Sequence, residues 1–248
     1  MKKYLASLLA LVMCLSLLAA CGDPGGATSG APGSNPPASQ AIDPDKQGST
    51  AVTIGYVGGH YACYPSSANS DDFIQQGMVY DKLFEVDDNT GEYTSRVLSS
   101  WEWADDQTLV MTLKDGITFS DGKQMTAEDV LFSIRNYIDQ GETTDKYQYF
   151  QYIDFDASTI SEDGMTLTLV YQFPYGPAER TLNCSIMQKE FTQAHDNADQ
   201  IWYTGPVGSG PYEITDCVQD SYVTFTLRDD YWNTDYTYDA TEITLRFY

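Results

Sequence analysis

Cys21 stands in a context that permits chemical modification of its thiol. It follows Leu-Ala-Ala at 18–20, and these residues end an almost purely apolar stretch, 4–18, that begins behind two lysines. This order is that of a secretory signal, and a cysteine directly after the small residues fits the lipobox, in which the thiol is acylated before cleavage. Two acyl chains anchor a protein stably, whereas one holds it only marginally. We therefore expect residues 1–20 to be a lipoprotein signal peptide and lipidated Cys21 to hold the chain on the outer face of the cell membrane. A plain signal peptide and an uncleaved anchor helix are the alternatives.

The other cysteines do not indicate metal or redox chemistry. Cys63, Cys184 and Cys217 lie far apart in the sequence and not at metal-ligand spacing, so we expect no metal site and no cofactor. Three thiols allow at most one disulfide, and the sequence does not choose the pair. Burial as small apolar side chains is the favoured interpretation of all three.

The many acidic residues raise the question of whether the chain is an enzyme. An acidic glycosidase needs two carboxylates at a defined separation, but the acids at 105–106 and 162–163 stand where turns are expected. With only His60 and His195, no histidine-containing catalytic triad is indicated, and we predict no catalytic residues. A secreted hydrolase and a surface adhesion module remain open as interpretations of the sequence.

Charge and composition divide the chain into segments. The formal net charge is -23, and removal of residues 1–20 with their two lysines makes it -25, which argues against nucleic acid as a partner. Residues 21–50 are rich in Gly, Pro, Ser and Ala, so we expect a disordered tether with a reach of about 30 Å. The folded part is then expected to be 51–248.

The folded part mixes strands and helices without strict alternation, which predicts an α/β or α+β fold. Thr126 is expected to cap a helix whose apolar residues continue to Ile138. The acid-rich segment 87–91 and the Asp-Gly pairs at 115–116 and 121–122 predict turns. Other helices are predicted at 71–84, 177–182 and 188–195, and strands at 51–56, 108–113, 165–171, 212–218, 222–228 and 241–248.

An ordered set of motifs then resembles a known family. The motifs are YDKLF at 80–84, LSSWE at 98–102, LKDGI at 113–117, FSDG at 119–122, TAEDV at 126–130, PVGSGPY at 206–212 and DYW at 230–232. Together they resemble extracellular solute-binding proteins of family 5, the binding lipoproteins of ABC importers for oligopeptides, dipeptides and nickel. The glycines of 208–210 let the backbone pass close to another element, so these motifs are mostly markers of the fold.

The resemblance implies a periplasmic-binding-protein-like fold of class II, cluster C type, with two lobes that close over a solute. The implied function is capture of a small solute, by default a peptide, for delivery to an ABC permease complex. Family members are about twice as long as this chain, which ends at Tyr248 near the expected crossing into the second lobe. We therefore expect residues 51–248 to be a first lobe with a small inserted subdomain, truncated, with the second lobe missing.

Candidate ligand contacts fall in three segments. The loop after the first strand holds His60, Tyr61 and Tyr64, since ligands of open α/β sheets bind at the carboxyl ends of strands. The aromatic run 146–155 offers Tyr147 and Tyr149, and the third candidate is Ser209. For all of the aromatic candidates, packing within the chain's own core is the competing interpretation, as it is for Trp202 and Tyr203.

Overall fold

Strands and helices follow one another irregularly along the chain. The computed structural model describes residues 50–60, 62–66, 73–87, 89–142, 144 and 146–248, all within one folded unit, Pro44–Tyr248. The helices are α1 (Phe73–Val79), α2 (Ala127–Asp139), α3 (Tyr147–Phe150), α4 (Ala178–Thr181), α5 (Lys189–Ala194) and α6 (Ile201–Thr204). The strands are β1 (Thr50–Tyr56), β2 (Glu85–Val86), β3 (Tyr93–Thr94), β4 (Leu98–Trp103), β5 (Thr108–Leu113), β6 (Ile153–Ile160), β7 (Thr166–Tyr171), β8 (Tyr212–Val218), β9 (Tyr222–Leu227) and β10 (Ala240–Phe247).

One four-stranded sheet has the order β1-β10-β9-β8. Strand β1 pairs in parallel with β10, and the other pairs are antiparallel. One face buries Val223, Phe225 and Leu245 against Val79 and Tyr80. Because β1 and β10 are parallel, both strands end at the same edge of the sheet, and the loop that carries His60 begins there.

The second four-stranded sheet is wholly antiparallel, with the order β4-β5-β7-β6. Alternate residues of β5 and β7 face a core that α2 covers with Val130 and Ile134. A separate two-stranded ribbon pairs β2 with β3. This mixture of parallel and antiparallel pairing confirms the expected mixed α/β class.

The predicted start of α2 at Thr126 is confirmed. The Thr126 backbone N–H donates to Oδ2 of Asp129 at 2.9 Å, and the Thr126 hydroxyl donates to the same oxygen at 3.0 Å. Asp129 and Glu128 also place negative charge at the positive end of the helix dipole. The predicted Asp-Gly turns are confirmed too, since Gly116 and Gly122 adopt φ angles of +78° and +81°, which favour glycine.

The helix predicted at 71–84 is wrong at its carboxyl end, because α1 stops at Val79. The next residues pair with 184–186 instead: the Leu83 N–H donates to the carbonyl of Cys184, and the Ile186 N–H donates to the carbonyl of Asp81, each at 3.0 Å. Residues 71 and 72 lie outside the described residues. Tertiary pairing therefore outweighs the helical periodicity of this segment.

Strands β4 and β6 were not predicted from the sequence. β4 contains Trp101-Glu102-Trp103, and β6 begins with the alternating segment 153–157, so each carries only a short apolar–polar alternation, which was not recognised as a strand. Both are edge strands whose pairing is set by β5 and β7.

The cysteines of the folded part are thiols. Cys63 and Cys184 are buried, as predicted, whereas Cys217 is only half-buried, and no disulfide joins these three. In the described part of the chain, none of the helices combines the length and apolar character that crossing a membrane requires.

Candidate ligand site

The loop after β1 is packed into the chain. His60 is 6% exposed, and its ring stacks on Phe247 at 6.1 Å and meets Tyr203 edge-on at 5.5 Å. Its Nε2 atom has no hydrogen-bond partner among the residues that the structure describes. Burial lowers the pKa of His60 below its usual value, although the negative charge of Asp220 opposes that shift. The imidazole is therefore neutral at neutral pH.

Tyr64 is held in the same region by helices α2 and α6. Its hydroxyl donates to Oδ1 of Asn136 at 3.0 Å, and its ring packs edge-on against Trp202 at 4.7 Å. The hydroxyl of Tyr137 also donates to the carbonyl of Pro65 at 3.0 Å. The structure thus brings His60 and Tyr64 together beside α6, where the rings of both pack against aromatic side chains of the chain and the Tyr64 hydroxyl is hydrogen-bonded. Tyr61 and the lipidation candidate Cys21 lie outside the described residues.

Ser209 lies elsewhere, in a segment pressed against the end of α1. A Cβ atom added to Gly208 would stand 2.0 Å from the Val79 carbonyl oxygen, so the predicted close passage of the backbone is confirmed. Ser209 is fully buried, and its Oγ accepts a hydrogen bond from the Asp81 N–H at 3.3 Å. Burial raises the pKa of the Asp81 carboxyl, against which hydrogen bonds from Trp232 and Tyr231 act.

Helices α3 and α4 border a cavity of about 540 Å³, in the size range of small-molecule sites. Tyr149 is 37% exposed and lines this cavity. The other lining side chains that matter for its chemistry are those of Lys146, Arg180, Thr181 and Asn183.

Two cations give this cavity its chemistry. The Nζ of Lys146 donates to Oδ1 of Asn183, which fixes the ammonium group at the cavity wall. Arg180 is exposed and offers a planar fork of donors, which matches a carboxylate or a phosphate. Tyr149 adds a ring for stacking and a hydroxyl. The site is thus suited to a small molecule with an anionic group and an apolar part.

Tyr147 is half-buried on the same short helix but is not among the residues that line the cavity. Sequence reasoning selected Tyr149 but missed the part that Lys146, Arg180 and Asn183 play. The signal that was available is the rarity of cations, since Lys and Arg number 13 against 36 acids. Among the described residues, no group of three or more His, Cys, Asp or Glu side chains is placed to hold a metal ion.

Comparison with known proteins identifies the family. Residues 92–248 match the family described as bacterial extracellular solute-binding proteins, family 5 Middle. The chain belongs to this family of solute-binding proteins. This match confirms the family membership that the sequence motifs predicted.

Curated relatives of this family 5 chain are named for different ligands. It is 30% identical to the nickel-binding protein NikA of Staphylococcus aureus, over 61% of this chain and 28% of that protein. It is 27% identical to the dipeptide-binding protein of Escherichia coli, over 63% of this chain and 33% of the relative. It is 24% identical to the oligopeptide-binding protein AppA of Bacillus subtilis, over 93% and 42% of the two chains.

Solved structures confirm the fold of the family 5 chain. NikZ from Campylobacter jejuni, in complex with Ni(L-His), superposes with a TM-score of 0.70 at 18% identity, over 80% of this chain and 39% of that one. The substrate-binding protein CtaP of Listeria monocytogenes gives 0.66 at 25% identity, over 82% and 41%. In all of these comparisons the chain spans less than half the length of the protein that it matches.

Proposed function

We propose that this family 5 chain captures a small solute that bears an anionic group, by default a peptide, for delivery to an ABC permease complex. The observation that carries the proposal is the cavity between α3 and α4, where Lys146, Arg180 and Tyr149 meet in a chain of net charge -23. The chain binds and releases this solute without a catalytic step.

The charge distribution is the physical reason for this choice of solute. An acidic surface repels carboxylates, so two cations at one cavity create a local potential opposite to that of the chain as a whole. A free peptide carries a terminal carboxylate for Arg180 and Lys146, and an apolar side chain for the ring of Tyr149. Ligand roles for Tyr61 and Tyr147 belong to the same proposal as further contacts, whereas His60, Tyr64 and Ser209 are buried within the chain and are proposed to serve the fold.

The proposal includes an anchored arrangement of the chain. Residues 1–20 direct export, lipidated Cys21 attaches the protein to the outer face of the cell membrane, residues 21–50 form the tether, and 51–248 form the lobe that meets the solute. Because acylation precedes cleavage, Cys21→Ser is expected to abolish incorporation of a labelled palmitate and to leave residues 1–20 uncleaved. A variant that still incorporates the label, or that is cleaved as the wild type is, contradicts the anchor but leaves the solute proposal standing.

Calorimetric titration of the purified chain tests the solute. Short peptides with a free carboxyl terminus are expected to bind more tightly than the same peptides amidated, by about tenfold, because a charge-assisted bond is lost. A nickel–histidine complex serves as the competing ligand, since the structural neighbour NikZ holds one. Equal affinity for free and amidated peptides, or no heat from any ligand, contradicts the proposal.

A pair of arginine variants locates the binding. Arg180→Gln removes the fork of donors at the cavity and is expected to weaken peptide binding by about tenfold. Arg135→Gln removes a cation from the exposed side of α2 and is expected to leave the affinity unchanged. Equal effects of the two variants indicate a general loss of charge and contradict the assignment of this cavity.

A further inference from the structure

A second cavity, of about 370 Å³, opens where the β4–β5 turn meets the segment after β7. No contact proposed for the peptide-like solute lies in it. Its lining consists of Trp103, Asp105, Asp106, Pro174, Tyr175 and Gly176.

Aromatic rings form rigid walls of this second cavity. Tyr175 stacks on the buried ring of Tyr171 with centroids 4.4 Å apart and an interplanar angle of 14°, and Trp103 lies 6.0 Å from Tyr171. Trp103 is also fixed at its edge, because its Nε1–H donates to Oε1 of Glu179 at 3.4 Å. The Tyr175 N–H donates to the carbonyl of Asp106 at 3.1 Å, which ties the two sides of the cavity together. The rings are therefore held in place before any ligand arrives.

The charge at this cavity is negative. Asp105 accepts a hydrogen bond from the Gln107 backbone N–H at 2.8 Å, and this bond lowers the pKa of its carboxyl, so Asp105 is ionised at neutral pH. Asp106 is exposed at the rim. The described residues that line it include no cation, in contrast to the cavity of Lys146 and Arg180.

Aromatic faces beside carboxylates form a recognised arrangement for cations. The negative face of a tryptophan or tyrosine ring attracts an ammonium group, and a carboxylate at the rim adds a Coulomb attraction. A neutral apolar ligand would use only the rings, and an anion would be repelled by both carboxylates. We propose that this second cavity binds a small organic ammonium ion between Trp103 and Tyr175, with Asp106 at its rim.

Choline and its neutral carbon isostere, 3,3-dimethylbutan-1-ol, provide a matched pair of probes with nearly the same shape. In titrations of the full chain followed by NMR at low salt, choline is expected to bind saturably and at least about tenfold more tightly than the isostere. Equal affinity for the two probes, or no saturable binding of choline, overturns the proposal.

Variants then locate the choline site. Asp106→Asn is expected to weaken choline binding by about three- to fivefold, because one Coulomb partner is lost, whereas Glu162→Gln, at an exposed turn of another hairpin, is expected to leave it unchanged. Trp103→Leu is expected to abolish binding, with thermal unfolding as the check that the variant is folded. Equal weakening by Asp106→Asn and Glu162→Gln contradicts the site. Arg180→Gln leaves this cavity intact, so choline binding persists in that variant whether or not the peptide proposal holds.

Discussion

Helix α2 contacts two tyrosine-containing regions that differ in exposure: in one, the tyrosine side chains have hydrogen-bond and ring partners within the chain, and in the other a tyrosine is exposed at a cavity. On one side, Tyr137 and Asn136 hold the loop of Tyr64, where rings and hydroxyls find partners within the chain. On the other, Tyr137 packs against Phe150 of α3, the helix that leaves Tyr149 exposed at a cavity with two cations. Residues of the first kind stabilise the fold, and residues of the second kind are available to a ligand.

The largest expected effect is on the buried segment at 208–210. Gly208→Ala places a Cβ 2.0 Å from the Val79 carbonyl oxygen, so the free energy of unfolding is expected to fall by about 3 kcal/mol or more. Denaturant unfolding measures this change. Gly77→Ala is the control, because it lies within α1 with nothing inside 4 Å and is expected to stabilise the protein by about 0.5–1 kcal/mol. Equal unfolding free energies for the two variants would refute the close passage.

Asn136→Ala tests the anchor of the Tyr64 loop. The variant leaves the buried hydroxyls of Tyr64 and Ser66 without their acceptor, and the expected loss of unfolding free energy is about 1–3 kcal/mol. Asn197→Ala, at an exposed position, is expected to change it by less than about 0.5 kcal/mol. A similarly small effect of Asn136→Ala would show that the loop is not held by α2.

His60 is expected to make the stability depend on pH in a defined direction. Because burial lowers the pKa of His60 in the folded state, the unfolded state takes up its proton first as the pH falls below about 6.5. The loss of unfolding free energy between pH 7.5 and pH 5.5 is therefore expected to be larger in the wild-type chain than in His60→Gln. An equal pH dependence in the two proteins argues against a neutral, buried His60.

The smallest expected effect on stability belongs to Tyr149. Since its side chain is 37% exposed, Tyr149→Ala is expected to change the free energy of unfolding by less than about 0.5 kcal/mol. Tyr64→Ala, at 4% exposure, is expected to cost about 3 kcal/mol or more, as measured by the same unfolding curves. Similar losses for both tyrosines would remove the distinction between the two groups.

The sequence predicted most reliably those elements whose signals are local. Thr126 and Asp129 cap a helix through atoms three residues apart, and the Asp-Gly turns need only a glycine with positive φ. The end of α1 was missed because the residues after Val79 pair with 184–186, about a hundred positions later. Strands β4 and β6 were missed for a different reason, because each is an edge strand with only a short apolar–polar alternation, although it pairs with the next strand along the chain.

The candidate site was only partly predictable. Tyr149 was selected as one member of an aromatic run, but the run does not reveal which of its rings points outward. Arg180 and Asn183 come together with Lys146 only in the folded chain, at the cavity that all three line, and no spacing in the sequence records that arrangement. The burial of His60 was equally hidden, since it depends on Phe247 at the far end of the chain.

The most direct test of the central claim compares peptide affinity in two sets of variants by calorimetry. The double variant Lys146→Gln, Arg180→Gln removes the cations of the α3–α4 cavity, and His60→Gln alters the buried loop. We predict that the double variant loses about a hundredfold or more in affinity for peptides with a free carboxyl terminus, while His60→Gln stays within about threefold of the wild-type chain. Unchanged affinity in the double variant, or an equal loss in both, would contradict the account.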